Sequence, residues 1–153
     1  KRFGGDLSLR YQMSPRWFAD VDVNYSHARA IDDPKGRNYI PLAPGITSIG
    51  GIQYRQPKGL AASLRYRYLG HRPANEDYSL RADGYMLVDA SIQWNFQDWQ
   101  IGASIENILN TEWKEAQFET TSRLQHEPEP VTEIHFTPGT PFAARLFLAF
   151  RFE

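Results

Sequence analysis

Hydrophobic and polar residues alternate with period two along most of this chain, and that alternation predicts seven β-strands. The first covers residues 4–12, where Leu7, Leu9 and Tyr11 oppose Asp6, Ser8 and Arg10. The second, Trp17–Ala28, sets Trp17, Ala19, Val21, Val23 and Tyr25 against Asp20, Asp22, Asn24 and Ser26. The third, Ile46–Arg55, is the least regular, with Ile46, Ile52 and Tyr54 on one parity. In the fourth, Leu60–Leu69, Leu60, Ala62, Leu64, Tyr66 and Tyr68 oppose Ser63, Arg65 and Arg67. The fifth, Tyr85–Phe96, has Met86, Val88, Ala90, Ile92, Trp94 and Phe96 facing away from Asp89, Ser91, Gln93 and Asn95. The sixth, residues 99–109, carries Trp99, Ile101, Ala103 and Ile105 on one face. The last, residues 142–152, carries Phe142, Ala144, Leu146, Leu148, Phe150 and Phe152.

Half-buried strands of soluble proteins alternate as well, so the pattern alone establishes only an all-β fold. Two features point to a membrane. Asp6, Arg10, Asp20, Asp22, Arg65, Arg67, Asp89, Glu106, Arg145 and Arg151 all fall on the non-apolar parity of their strands. A cation facing lipid at the midplane costs ~2–4 kcal/mol, whereas a watery lumen accepts charge freely. Aromatic residues, moreover, sit at strand ends on the apolar parity, beside the short turns: Tyr11, Trp17, Tyr54, Trp94, Phe96, Trp99, Phe150 and Phe152. A soluble sandwich buries such rings mid-strand, while a membrane barrel aligns them as an interfacial girdle. The expected fold is an antiparallel transmembrane β-barrel of a bacterial outer membrane, in contact with outer-membrane lipid.

Composition adjusts this picture only slightly. Hydrophobic residues make up 41%, charged residues 23%, and the formal net charge of −1 offers nothing to nucleic acid. No run of 18 apolar residues is present, so no transmembrane helix is expected; a barrel strand shows lipid only every second residue. Cysteine is absent, which removes thiolate ligands and nucleophiles, and no cofactor or metal site is expected. The chain opens on Lys1-Arg2-Phe3-Gly4 with no initiator Met or signal-peptide core, which reads as a mature or truncated piece.

The connections alternate in length. Those at 13–16, 56–59 and 97–98 are tight, and those near 30–44, 70–84 and 111–141 run roughly 15 to 30 residues. Short periplasmic turns and long extracellular loops have this asymmetry, which sends the last strand toward the periplasm and makes the aromatic rings the periplasmic girdle. Seven is an odd count, and an open barrel leaves unpaired amides in hydrocarbon, so the chain is expected to be part of a larger barrel with its missing strands upstream.

Gly84-Tyr85-Met86-Leu87-Val88-Asp89-Ala90-Ser91, followed by Ile105-Glu106-Asn107-Ile108-Leu109-Asn110-Thr111-Glu112-Trp113, resembles the C-terminal region of TonB-dependent outer-membrane receptors. That family commonly shows a Gly-Tyr-x-x-x-Asp strand start and an Asn-Leu-Phe-Asn-x-x-Tyr strand end; here Ile108-Leu109 and Trp113 depart from it in identity but not in character. Ile40-Pro41-Leu42-Ala43-Pro44, Arg72 and the closing Thr137-Pro138-Gly139-Thr140-Pro141 resemble the family too. The resemblance implies strands sixteen to twenty-two of a 22-stranded barrel, filled in the parent chain by an N-terminal plug. Contact with TonB would then run only through the missing N-terminal region. It also implies insertion by the barrel-assembly machinery through the C-terminal strand, although Glu153 follows Phe152 where an aromatic usually closes the signal.

The implied function is TonB-dependent uptake of a scarce nutrient, most often a ferric siderophore or similar metal chelate. The alternative is a small standalone outer-membrane barrel with a structural or adhesion role. No catalytic constellation stands out: the four histidines lack metal-site spacing, and His71, Asp77 and Ser79 are the nearest approach to a rim hydrolase. Residues 111–141 read as a solvated loop, and its Trp113, Phe118, Arg123 and His135, together with Arg72, are the candidate ligand contacts. Aromatics and cations at an extracellular mouth suit an anionic chelate. Arg65, Arg67, Arg145 and Arg151 against Asp89 and Glu106 read as lumenal ion pairs facing the plug.

Overall fold

The computed structural model describes residues 1–57 and 59–152; Lys58, in the second tight turn, and Glu153 lie outside the described residues. The strands are β1 Arg2–Ser14, β2 Trp17–Ala28, β3 Ile46–Arg55, β4 Leu60–Leu69, β5 Arg72–Pro73, β6 Arg81–Ala82, β7 Tyr85–Phe96, β8 Trp99–Glu106, β9 Lys114–Ser122, β10 Val131–Pro138 and β11 Ala143–Phe150. Seven of them form one antiparallel sheet in the order β1-β2-β3-β4-β7-β8-β11, while β5 pairs with β6 and β9 with β10.

Three boundaries differ from the sequence expectation. The first strand extends to Ser14 through an irregularity after Gln12. The sixth stops at Glu106 because Asn107 takes φ 51°, a left-handed conformation that breaks the ladder and that Asn tolerates. The last strand is shorter at both ends. The larger correction concerns 111–141, which is not an irregular loop: β9 and β10 pair from Val131↔Ser122 to Pro138↔Lys114.

The chain exposes 11223 Å², against about 7900 Å² expected of a compact protein of this mass. The excess arises because the main sheet has no second layer. Leu7, Ile101, Leu148 and Leu146 are 61%, 59%, 64% and 86% exposed, and all lie on the apolar parity. Water cannot be the solvent for that face. The opposite face carries the ion pairs Arg10–Asp22, Arg65–Asp20, Arg67–Asp89 and Arg145–Glu106, so the side chains of the charged parity do converge. The sheet is a partial barrel, apolar toward hydrocarbon and charged toward the interior.

The irregularity of β3 has a steric cause. A Cβ on Gly50 would lie 2.9 Å from the Tyr66 ring on the apolar face, and one on Gly51 would lie 3.0 Å from Arg65 Cγ on the charged face. Each glycine yields its space to a large β4 side chain leaning over β3. Tyr66 ends there in a 2.8 Å hydrogen bond with Ser48, so its hydroxyl is satisfied on the apolar side.

Candidate functional site at the inner wall and rim

The charged face is organised in rows set by strand register. Arg10, Asp20, Gly51, Arg65 and Asp89 stand opposite one another across β1, β2, β3, β4 and β7. Arg65 does not pair with its direct neighbour Asp89. Its guanidinium crosses Gly51 and donates twice to Asp20, at 2.9 Å each. This fork-on-carboxylate geometry fixes orientation as well as charge. Arg67 then takes Asp89 at 3.2 Å, Arg10 grips Asp22 at 3.0 and 2.8 Å, and Arg145 meets Glu106 at 2.7 Å. The next row contains Ser63, Ser91 and Ser104, with Ser63 and Ser91 bonded at 2.8 Å. The inner wall is therefore polar and largely self-paired.

At the tight-turn end of the apolar face, Trp17 lies 5.0 Å from Tyr54, Trp99 4.6 Å from Phe150, and Phe150 4.8 Å from Phe152. Tyr11, Trp94 and Phe96 are exposed at the same edge. Sequence reading did not single out two tyrosines toward the opposite edge: Tyr25 and Tyr68 lie exposed on the apolar parity near the long connections. Their parity and their position at the other strand ends were the available signal.

At the rim, residues far apart in sequence meet around Asn107. Its backbone N–H donates to Asp89 at 2.9 Å. Its side chain accepts from Thr111 N at 2.9 Å and donates to the carbonyls of Thr111 and Thr140 at 2.9 and 3.2 Å. Asn110, also left-handed at φ 48°, accepts from Phe142 N at 3.2 Å. Trp113 packs on Tyr85 with ring centroids 4.9 Å apart, covers Gly139 and donates from Nε1 to Thr140 O at 2.9 Å. The Gly-Tyr-x-x-x-Asp segment, the Asn-rich segment and the Thr-Pro-Gly-Thr-Pro segment are thus parts of one joint, which sets the base of the β9–β10 hairpin.

A second joint centres on Asp83. Gln117, buried at 2% exposure, uses both amide atoms on the Asp83 backbone: Asp83 N donates to its Oε1 at 2.8 Å, and its Nε2 donates to Asp83 O at 2.9 Å. Arg72 donates to the same carbonyl at 3.2 Å, and Lys114 Nζ meets the carboxylate at 2.9 Å. Gly84 is required beside it, since a Cβ there would sit 2.3 Å from Leu69 O.

The Lys114 ammonium holds the Asp83 carboxyl below the usual carboxylate range, against the opposing effect of desolvation. A depressed carboxylate contributes stability that is complete above the ordinary aspartate range and is lost as pH falls through the lower value of the folded protein. Hydrogen exchange at the Asp83 and Gln117 amides is expected to accelerate as pH drops below about 4, after correction for intrinsic rates. Asp83→Asn should remove that dependence; an unchanged profile would show that the pair does not secure the hairpin.

The sequence-selected residues divide into two groups. Arg72, at 7% exposure, and Trp113 are absorbed into these joints. Phe118 stands exposed on the hairpin opposite His135, which lies 3.5 Å from Glu133. Arg123 donates to Glu127 O at 2.9 Å near the hairpin tip. His71, Asp77 and Ser79 do not assemble: His71 Nδ1 accepts from Gly84 N, Asp77 accepts from Ser79 N, and the Ser79 hydroxyl is bonded to Asn75.

A single-layer sheet with a hydrocarbon-facing side, a charged inner wall and long connections at one edge is the wall of an outer-membrane β-barrel. The chain belongs to the TonB dependent receptor-like β-barrel family, whose model matches residues 1–108. It is 26% identical over 128 residues to the ferrioxamine receptor of Yersinia enterocolitica, a match covering 77% of this chain and 18% of that protein. It also superposes on the ferric yersiniabactin uptake receptor FyuA from Yersinia pestis with a TM-score of 0.71 at 16% identity, covering 99% of this chain and 23% of that one. The ferric citrate transporter FecA gives a TM-score of 0.70 at 15% identity, over 96% and 23%. At such identities the superpositions establish the fold. The chain spans about a fifth of the length of the relatives it matches. By name these relatives are receptors and a transporter, and membership of the family places the chain in the bacterial outer membrane.

Proposed function

We propose that this chain is the C-terminal wall and rim of a receptor that imports a scarce nutrient, a ferric siderophore or similar metal chelate, by TonB-driven movement of a plug. The observation that carries the reading is the 26% identity to a ferrioxamine receptor over 77% of the chain. The self-paired inner wall supports it, because a wall that satisfies its own charges can release a moving plug without stranding ions. In this reading the turn-end aromatics form the periplasmic girdle, lipid covers the apolar face, and β11 presents the segment used by the assembly machinery. Ligand meets the hairpin and rim, where Phe118, Arg123, His135 and the exposed edge of Trp113 are accessible; Arg72 shapes the loop from within. A small standalone adhesion barrel fits less well, because among the described residues β1 and β11 remain unpaired edges of an open sheet.

The test is growth under iron limitation of cells whose only chelate receptor is the intact parent protein, offered a panel of ferric hydroxamates, catecholates and carboxylates. Growth on one class, lost when TonB is deleted, is the expected result. Growth on none of them, with TonB-dependent uptake of another nutrient, would overturn the substrate assignment.

A further inference from the structure

A cleft of about 460 Å³ opens at the rim joint, walled by Trp113, Phe136, Pro138 and Pro141 and edged by Asp83, Asn110, Glu112 and Lys114. Its size and its apolar walls with a few polar groups are those of a small-molecule site. Its charge is the informative part. Lys114 is the cation of the cleft, and it is already committed: its ammonium bonds Asp83 at 2.9 Å and lies 4.7 Å over the Phe136 ring. Glu112 takes part in none of the ion pairs among the described residues and stands exposed. The hairpin above deepens the bias. Residues 111–141 hold six glutamates against Lys114 and Arg123. Arg72, which bonds the Asp83 carbonyl, is buried and spent there, while Arg81, whose charge also acts on Asp83, stands exposed and does not line the cleft.

We propose that this cleft selects a chelate carrying a free ammonium group over a neutral or anionic one, with Glu112 as the charge partner and Trp113 and Phe136 as aromatic walls. An alkylammonium gains by charge attraction to the Glu112 carboxylate while its apolar carbons pack against the aromatic walls; the Phe136 ring already faces the Lys114 ammonium. An anionic chelate meets a field of its own sign with no uncommitted cation in the cleft. This charge preference departs from the expectation of an anionic ligand drawn from aromatics and arginines in the sequence. The proposal rests on the reading of the protein as a chelate receptor and specifies which charge class it takes.

The probes are three forms of one linear ferric trihydroxamate: with its terminal amine free, N-acetylated and N-succinylated. Affinity is measured on cells displaying the intact receptor. The amine form is expected to bind roughly two- to five-fold more tightly than the acetylated form, the span that an exposed ion pair supplies, and about tenfold more tightly than the succinylated form. Glu112→Gln should erase the first difference, and Glu112→Lys should invert the order. High salt should compress the differences. Equal affinities for the three forms, or an amine preference that persists in Glu112→Gln, would overturn the charge assignment alone. Binding of none of the three would overturn it together with the hydroxamate reading.

Discussion

Gly51→Ala is expected to lower the thermal midpoint of the intact barrel sharply, and by far more than Gly45→Ala. A Cβ at position 51 would lie 2.4 Å from Leu64 O and 3.0 Å from both Cα and Cγ of Arg65. The nearest of these atoms is backbone in a continuous ladder, so it cannot move aside without disturbing the β3–β4 register. The side chain displaced with it is the one that bridges β2 and β4 through Asp20. Overpacking in a tight site costs about 1–3 kcal/mol, and a partly buried, doubly bonded ion pair is lost at the same time. At Gly45 the nearest atom would be 3.8 Å away, an ordinary contact. Seminative electrophoresis against temperature reads the effect. If Arg65 bridging carries part of it, Gly51→Ala combined with Arg65→Ala will destabilise by less than the sum of the single changes. An alanine variant melting with the parent would show that neither the bridge nor the ladder depends on that empty space.

The main sheet was legible because its two faces meet different solvents, so each strand carries a strong period of two. Its ends were legible where a tight turn marks them, as at residues 56–59 after β3. The β9–β10 hairpin was not legible, because both its faces are polar enough for water. Phe118 and Ala116 alternate with Gln117 and Glu119, and Pro128 and Pro130 break the segment before β10. Without a hydrophobic side there is no contrast to detect. The roles of Arg72 and Trp113 were hidden for another reason. Each looks like an exposed loop cation or aromatic, and each is claimed by a partner, Asp83 or Gly139, that only the folded rim brings near. The order of motifs was visible, but their convergence on Asn107 required the register of three strands. Charge behaved similarly: the arginines were countable, whereas their commitment to carboxylates and carbonyls depends on geometry.

The Asn107 joint gives the second large effect. Asn107→Ala is expected to loosen the hairpin while leaving the barrel wall assembled. The residue is 3% exposed and its amide group makes three hydrogen bonds, to Thr111 N, Thr111 O and Thr140 O. Alanine leaves the Thr111 N–H and carbonyl without this partner, at ~1–3 kcal/mol for each one that water cannot reach, while Thr140 O keeps its bond from Trp113; alanine also resists a φ of 51°. A total of even ~2–4 kcal/mol corresponds to a local opening at least tenfold more populated. Protease added to intact cells should then cut within residues 111–141 at least about tenfold faster, because cleavage follows the open population. The wall should melt almost as before, since its ladders β7–β8 and β8–β11 end short of the joint. Asn107→Gly separates the two causes: it accepts the left-handed backbone but restores no hydrogen bond, so it should be cut nearly as fast as the alanine variant if the bonds dominate. Rescue by glycine would assign the effect to backbone strain instead. Equal cutting of the parent and alanine proteins would remove Asn107 from the support of the hairpin, and with it the account of why the three motifs lie where they do.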